Sequence, residues 1–283
     1  MQRILVRVKS TAPTKRERAM ARPYSQKLIQ TFIIMKKFIF SLAALCMGMC
    51  AMAQSSVYVY QKNGKPFKLA VSNLDSISFT KPITTGTENG YAWVDLGLSV
   101  KWATCNLGAT KPEEYGNYYA WGETATKDSY TWETYTLANG SSTTLTKYCY
   151  DENYGTVDNK TTLEVADDAA TYNWGGNWRI PTIDECQELI DNCIWTWTDN
   201  YNNTGVAGYI VTSKSNDESI FLPAAGYYVG PDQNLAGTYG DYLSSSLNAS
   251  RVFYEQNMAF RSSFYSTSGD DRSHGQSVRA VVK

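Results

Sequence analysis

N-W-G-G-N-W-R-I-P-T, residues 173–182, is the stretch on which the reading of this chain turns. Gly175 and Gly176 invite backbone angles closed to other residues, and Pro181 halts any strand or helix arriving there. The stretch is therefore expected to be a tight corner, with Trp174 and Trp178 buried as plugs, because large aromatic side chains dominate core energetics. Directly after it, Thr182-Ile183-Asp184-Glu185 has the S/T-x-x-E form of a capping box, and Ile183, Cys186, Leu189, Ile190 and Cys193 recur at helical spacing. The corner is expected to launch a helix.

Working outward, residues 165–173 suggest a short helix with Ala166, Ala169, Ala170 and Asn173 on one side. Asp167 and Asp168 would fall in its first turn, where carboxylates complement the helix dipole. Short strands are expected at 91–96 and 99–103 on either side of Gly97, and at 118–122, 195–197, 208–212 and 219–223. Val252-Phe253-Tyr254 and residues 278–282 read as closing strands. Residues 124–160 lack periodicity and read as long loops around Tyr148-Cys149-Tyr150. Upstream, residues 57–80 alternate apolar and polar about Asn63-Gly64, a strong hairpin signal, and suggest a strand pair followed by a third short strand. The stretch 83–90, with its threonines and glycines, reads as a linker. All eight tryptophans lie between Trp93 and Trp197, which places the aromatic core in that half.

The formal charge of −1 hides two unlike parts. From Met35, two lysines, a short apolar stretch and Ala51-Met52-Ala53 have the form of a signal peptide cleaved before Gln54. Residues 1–34 would then be an upstream extension, 35–53 the signal, 54–82 a small β segment and 91–283 the main domain. The mature chain would carry 16 basic and 26 acidic residues, a formal charge of −10. Such an acidic exported chain is a poor partner for nucleic acid or anionic lipid, and no later stretch is apolar enough for membrane insertion. The periplasm, the outer surface and the medium are all open as destinations. No cofactor or metal is expected, since C-x-x-C spacing is absent and His274 is the only histidine. Of the four remaining cysteines, Cys186 and Cys193 lie seven residues apart on the expected helix, about 10.5 Å, beyond the reach of a disulfide. They should not pair with each other.

Five ordered motifs span the main domain: V-D-L-G-L-S-V-K-W-A-T-C-N-L-G-A from Val94, Y-Y-A-W-G-E-T from Tyr118, D-D-A-A-T-Y-N-W-G-G-N-W-R-I-P-T from Asp167, I-F-L-P-A-A-G-Y from Ile220, and G-Q-S-V-R-A-V from Gly275. In these the chain resembles the Fibrobacter succinogenes major paralogous domain family. The resemblance implies an α+β fold of the C-type lectin-like kind, with short antiparallel strands, two helices and long loops. In that fold the last strand returns beside the first.

Residues 261–275, R-S-S-F-Y-S-T-S-G-D-D-R-S-H-G, contain no Met, Trp, Gln, Lys or Glu. Those are the types that an asparagine codon cannot reach by changes confined to its two adenines. The bland reading is a polar hairpin loop. The alternative is a resemblance to the variable proteins of diversity-generating retroelements, which place an adenine-mutagenised segment at the end of a C-type lectin-like domain. That resemblance implies an exposed ligand-binding surface made of Phe264, Tyr265, Ser266, Thr267, Ser268, Asp270, Asp271, Ser273 and His274, with Tyr242 beneath. The chain has Tyr242-Leu243 where such proteins usually have Tyr-Trp, which would weaken the groove. Rigid aromatics with Ser, Gly and Asp is also the composition of antibody loops.

The expected function is a non-catalytic binding module for a glycan or protein ligand at the bacterial surface. A structural or adhesin tip subunit is one alternative. A carbohydrate-active enzyme is another, with Glu123, Asp167 or Asp168 as its carboxylates. The E-P-N, Q-P-D and W-N-D triplets of calcium-dependent sugar-binding lectins are absent, and no nucleophile or phosphate-loop motif is found.

Overall fold

The computed structural model describes residues 56–59, 67–70 and 83–283, and the chain divides into two compact units at Lys81/Pro82. In the first unit, β1 (Ser56–Val59) pairs antiparallel with β2 (Phe67–Ala70), with Val59 opposite Phe67. The expected strand pair is present, while Asn63-Gly64 between the strands lies outside the described residues. The expected third strand and the signal segment lie outside the described residues.

The second unit starts with β3 (Thr85–Glu88), which turns at Asn89-Gly90 into β4 (Tyr91–Val94). The 83–90 stretch is thus not a linker. Its alternating threonines form a strand, and Asn89 and Gly90 supply the two positive φ angles, 47° and 86°, of a tight hairpin turn. Next come β5 (Lys101–Ala103) and β6 (Tyr118–Tyr119), then residues 124–160 without a helix or named strand. After α1 (Ala169–Trp174) and α2 (Ile183–Asn192) follow β7 (Cys193–Thr198), β8 (Gly208–Ser213) and β9 (Ser219–Pro223), paired antiparallel in that order. The chain continues through β10 (Tyr227–Val229), β11 (Asp232–Asn234), β12 (Tyr239–Leu247), β13 (Glu255–Arg261), β14 (Phe264–Ser268), β15 (Gln276–Ser277) and β16 (Val281–Val282).

These strands make an α+β molecule with a four-stranded sheet, β16-β5-β4-β3, and a five-stranded sheet, β14-β13-β12-β15-β6. Pairing is antiparallel except between β12 and β15. The last strand lies beside β5, near the start of the unit. Val252 and Phe253 form a turn rather than a closing strand, where Asn248 Oδ1 accepts from the amides of Ser250 (2.9 Å) and Arg251 (3.0 Å), and Tyr254 bridges Asp271 just ahead of β13. Among the described residues no helix is long and apolar enough to cross a membrane, and the four cysteines are unpaired.

The corner at 173–182 is built as its residues require. Gly175 and Gly176 have φ of 64° and 61°, and Trp174 and Trp178 are buried. The preceding helix differs from expectation. Residues 165–167 form a separate 3₁₀ turn, and Asp168 is extended and caps α1. Its Oδ1 accepts from Thr171 N (2.9 Å) and its Oδ2 from Ile180 N (2.8 Å), so this carboxylate ties helix to corner. Asp168 is therefore a cap outside the first turn.

The capping box of α2 is complete, with Thr182 Oγ1 accepting from Glu185 N (3.3 Å) and Glu185 Oε2 accepting from Thr182 N (2.9 Å). Arg179 adds a two-pronged pair to the same carboxylate, at 2.7 and 2.5 Å. Burial disfavours the charged form of Glu185, but Arg179 and the Thr182 amide outweigh it and hold its carboxyl below the ordinary value. A depressed pKa means stabilisation that is present above the unfolded-state value and lost as the carboxylate protonates. Glu185→Gln should therefore cost about 1–2 kcal/mol at pH 7, and the difference from wild type should shrink below pH ~4. Urea unfolding at pH 7 and pH 3 measures this, and an equal difference at both would contradict it.

Candidate functional site

The C-terminal segment is organised by β12 and β13, which lie inside the five-stranded sheet and alternate between its two faces. Tyr242 is opposite Met258, and this pair, with Phe260, packs on Cys186 and Leu189 of α2. Gly240 has to be glycine, because a Cβ there would fall on the Phe260 ring. Tyr242 is 1% exposed. Its hydroxyl donates to Pro223 O (2.8 Å) and accepts from Asn106 Nδ2 (3.3 Å), while its ring stacks on Phe260. It is a core residue and offers no ligand surface, contrary to expectation. The Tyr242-Leu243 pair lies wholly in the interior, with Leu243 also 1% exposed.

The expected surface divides by its place in the fold. Phe264, Tyr265, Ser266, Thr267 and Ser268 are not a loop. They form β14, the outermost strand of the five-stranded sheet, because the Ser262-Ser263 turn folds them back on β13 with Tyr265 opposite Phe260. Phe264 and Tyr265 are 43% and 39% exposed. Tyr265 lies flat on Trp195 (centroids 4.8 Å apart, planes 8° apart) with Tyr209 edge-on to it, and the Tyr209 hydroxyl donates to Arg261 O (3.1 Å) and Ser262 O (3.2 Å). The aromatic platform is thus held from below. Thr267 Oγ1 donates to Gln187 on α2, which fixes the strand's far end.

Asp270, Asp271 and His274 sit on the following turn and are partly exposed. His274 Nδ1 is 3.1 Å from Asp270 Oδ2, and its Nε2 is 3.7 Å from Asp271 Oδ2. Burial opposes charge on the imidazole, but the two carboxylates prevail and hold its pKa above the ordinary value. Ser273 corrects a second expectation. It is 1% exposed because Arg272 beside it is drawn into the interior, taking the backbone with it.

Beneath this turn is a group that sequence reasoning missed. Asp241 on β12, Glu255 and Asn257 on β13, and Gln276 on β15 are all buried on one side of the sheet. Burial, with Asp270 nearby, drives the Asp241 carboxyl well above its ordinary range, and burial together with Asp241 does the same to Glu255. The available signal was slight, since Glu255-Gln256-Asn257 is a polar run and Asp241 stands alone before Tyr242-Leu243.

The carboxylates considered for a glycosidase are otherwise engaged. A recess of about 580 Å³ formed by residues including Gly122, Lys127 and Leu137 has Glu123 and Asp167 in its wall. Glu123 pairs with Lys127 (2.7 Å) and accepts from Thr136 N (2.6 Å); Asp167 is bound by Lys147 and the Tyr148 hydroxyl. Asp168 is buried and caps α1.

No family model, curated protein or solved structure matches the chain.

Proposed function

We propose that the chain is a non-catalytic binding module of C-type lectin-like architecture, carried on an exported polypeptide, that takes a glycan or protein ligand at β14. One observation carries the reading: Phe264 and Tyr265 are both exposed at consecutive positions of an edge strand, one on each of its faces, and the strand's other side chains are small hydroxyls. A ring presented flat on a fixed partner offers a stacking face at little entropic cost, and neighbouring hydroxyls supply adaptable hydrogen bonds. The architecture is supported by the return of β16 beside β5 and by the packing of α2 on the sheet of β12, β13 and β14.

Binding of purified chain to an immobilised glycan array and to bacterial surface-protein fractions tests the reading. Phe264→Ser with Tyr265→Ser should weaken binding of the captured ligand by about 2 kcal/mol or more in a chain that still folds, with a lower melting temperature from the lost Tyr265–Trp195 stack. Ligand capture unaffected by the double substitution would sink the assignment of β14. Population sequencing of codons 240–276 tests whether the surface is diversified. Adenine-confined variation should be tolerated at Phe264, Tyr265, Ser266, Thr267, Ser268, Asp270, Asp271 and His274, and should be absent at the buried Arg272.

A further inference from the structure

One face of the five-stranded sheet carries more buried oxygen acceptors than its surroundings can satisfy. Asn257 lies opposite Leu243, so Asp241, two residues before Leu243, shares its side, as does Glu255, two before Asn257. Tyr242 pairs with Ser277, which puts Gln276 on the Asp241 side as well. All four are 0–1% exposed. Asp270 closes the group from the turn above, its amide donating to Glu255 Oε1 (3.2 Å) and its carbonyl accepting from Glu255 N (3.0 Å).

Each side-chain amide gives one hydrogen bond to a carboxylate. Asn257 Nδ2 donates to Asp241 Oδ1 (2.8 Å), and Gln276 Nε2 donates to Glu255 Oε1 (3.1 Å). Each amide has turned its nitrogen to a carboxylate, and this leaves Asn257 Oδ1, Gln276 Oε1 and Glu255 Oε2 buried without a donor. The cationic groups near this region point elsewhere. His274 faces Asp270 and Asp271, and Arg272 donates to Tyr135, Tyr148, Val252 and Lys147. Orphaned acceptors of this kind are uncommon in native interiors and cost free energy individually.

We propose that this cluster is a calcium site, with Glu255 Oε2, Asn257 Oδ1 and Gln276 Oε1 as ligands and the Asp241 carboxylate supplying charge beside them. No three His, Cys, Asp or Glu side chains converge on a metal position among the described residues, so the set depends on the amide oxygens. An all-oxygen set without imidazole or thiolate favours a hard cation over zinc or copper. Between the hard divalent ions, amide and carboxylate oxygens on β13 and β15, with the Asp241 carboxylate on β12 beside them, suit calcium's flexible shell, whereas magnesium holds to an octahedron and keeps several waters. Protons on Glu255 and Asp241 would neutralise both carboxyls and give one donor each, an alternative that the titration below separates from a bound cation. A water molecule could donate to two acceptors but would leave the charge. The cation would join β12, β13 and β15 to the turn that carries Asp270, Asp271 and His274. The E-P-N and W-N-D ligand sets of sugar-binding lectins are absent from the chain, and this inference does not depend on the proposed role of β14.

The test uses the full chain, stripped with EDTA and titrated with CaCl₂ or MgCl₂ by isothermal calorimetry, with thermal unfolding followed in parallel. The expected result is a single Ca²⁺ per chain, a higher melting temperature in Ca²⁺ than in EDTA, and a much smaller effect of Mg²⁺. Glu255→Gln should weaken Ca²⁺ binding about tenfold or more while the variant still folds in EDTA. The double substitution at Phe264 and Tyr265 should leave Ca²⁺ binding unchanged, which separates this inference from the ligand-binding one. The proposal is overturned if wild type gives no heat of Ca²⁺ binding and melts identically in Ca²⁺ and EDTA, or if Mg²⁺ acts equally. In the first case Glu255→Gln would raise the melting temperature, as a protonated carboxyl requires. The wild-type titration decides the matter even if the variant fails to fold.

Discussion

Arg272→Met is expected to cost about 3–5 kcal/mol of stability, because it leaves buried acceptors without a donor. Arg272 is fully buried without a carboxylate partner. Its Nε donates to the Tyr135 hydroxyl (3.1 Å), Nη1 to Tyr148 O (3.0 Å) and Val252 O (3.2 Å), and Nη2 to Lys147 O (3.1 Å). The guanidinium lies over the rings of Trp121 and Tyr135 at 4.8 and 5.5 Å, where a cation is favoured. Three of its four acceptors, on Tyr135, Lys147 and Tyr148, belong to the 124–160 region, which has no ladder of its own and is fastened to the C-terminal segment by this side chain. Methionine roughly fills the volume, so packing alone would be nearly preserved. Urea unfolding should show the loss, and hydrogen exchange should show it first at residues 147–149. Arg272→Lys should recover little, since one ammonium cannot reach acceptors arranged for a planar fork. A loss below about 1 kcal/mol for methionine would mean the carbonyls find other donors, and the fastening role would be wrong.

Trp178→Ala should cost a similar amount, about 3–5 kcal/mol, as deletion of a fully buried large aromatic side chain does. Trp178 Nε1 donates to Glu88 O (2.7 Å), and the ring meets Trp174 edge-on at 5.1 Å. Trp174 in turn stacks on Tyr91 at 4.2 Å, and Glu88 Oε1 accepts from Asn177 N (3.1 Å) and Nδ2 (3.0 Å). The corner therefore docks on the β3–β4 hairpin. Trp178→Phe keeps most of the apolar ring and loses the hydrogen bond, so it should cost less, about 1–2 kcal/mol. Exchange at residues 85–94 should rise in Trp178→Ala more than elsewhere. Uniform exchange across the unit would argue against specific docking of the corner on that hairpin.

What could be read from the residues was largely local. Gly175-Gly176 and Pro181 require a corner whatever surrounds it, Thr182 and Glu185 cap a helix by reaching three residues, and the short apolar runs at 195–197, 208–212 and 219–223, separated by turn residues, appear as β7, β8 and β9. Two kinds of residue were misread. Thr85–Glu88 has a linker's composition, and its strand exists because Trp178 and Asn177, some ninety residues later, dock on it. β12 and β13 escaped notice because their polar residues break the alternation expected of a sheet with one wet face.

The surface around β14 shows the same limit. Its composition pointed to residues 261–275, but alternation cannot say which side faces water when both faces of the sheet are covered, so Tyr242 went inward, and Ser273 in its turn follows the buried Arg272. Asp241, Glu255, Asn257 and Gln276 come from three strands as much as 35 positions apart, and no spacing rule joins them. The sequence by itself determined turns, caps and strand runs, because the interactions that fix them close within a few residues. The tertiary structure alone decided which polar groups are buried together, because that depends on strand order and register, set by contacts distant along the chain.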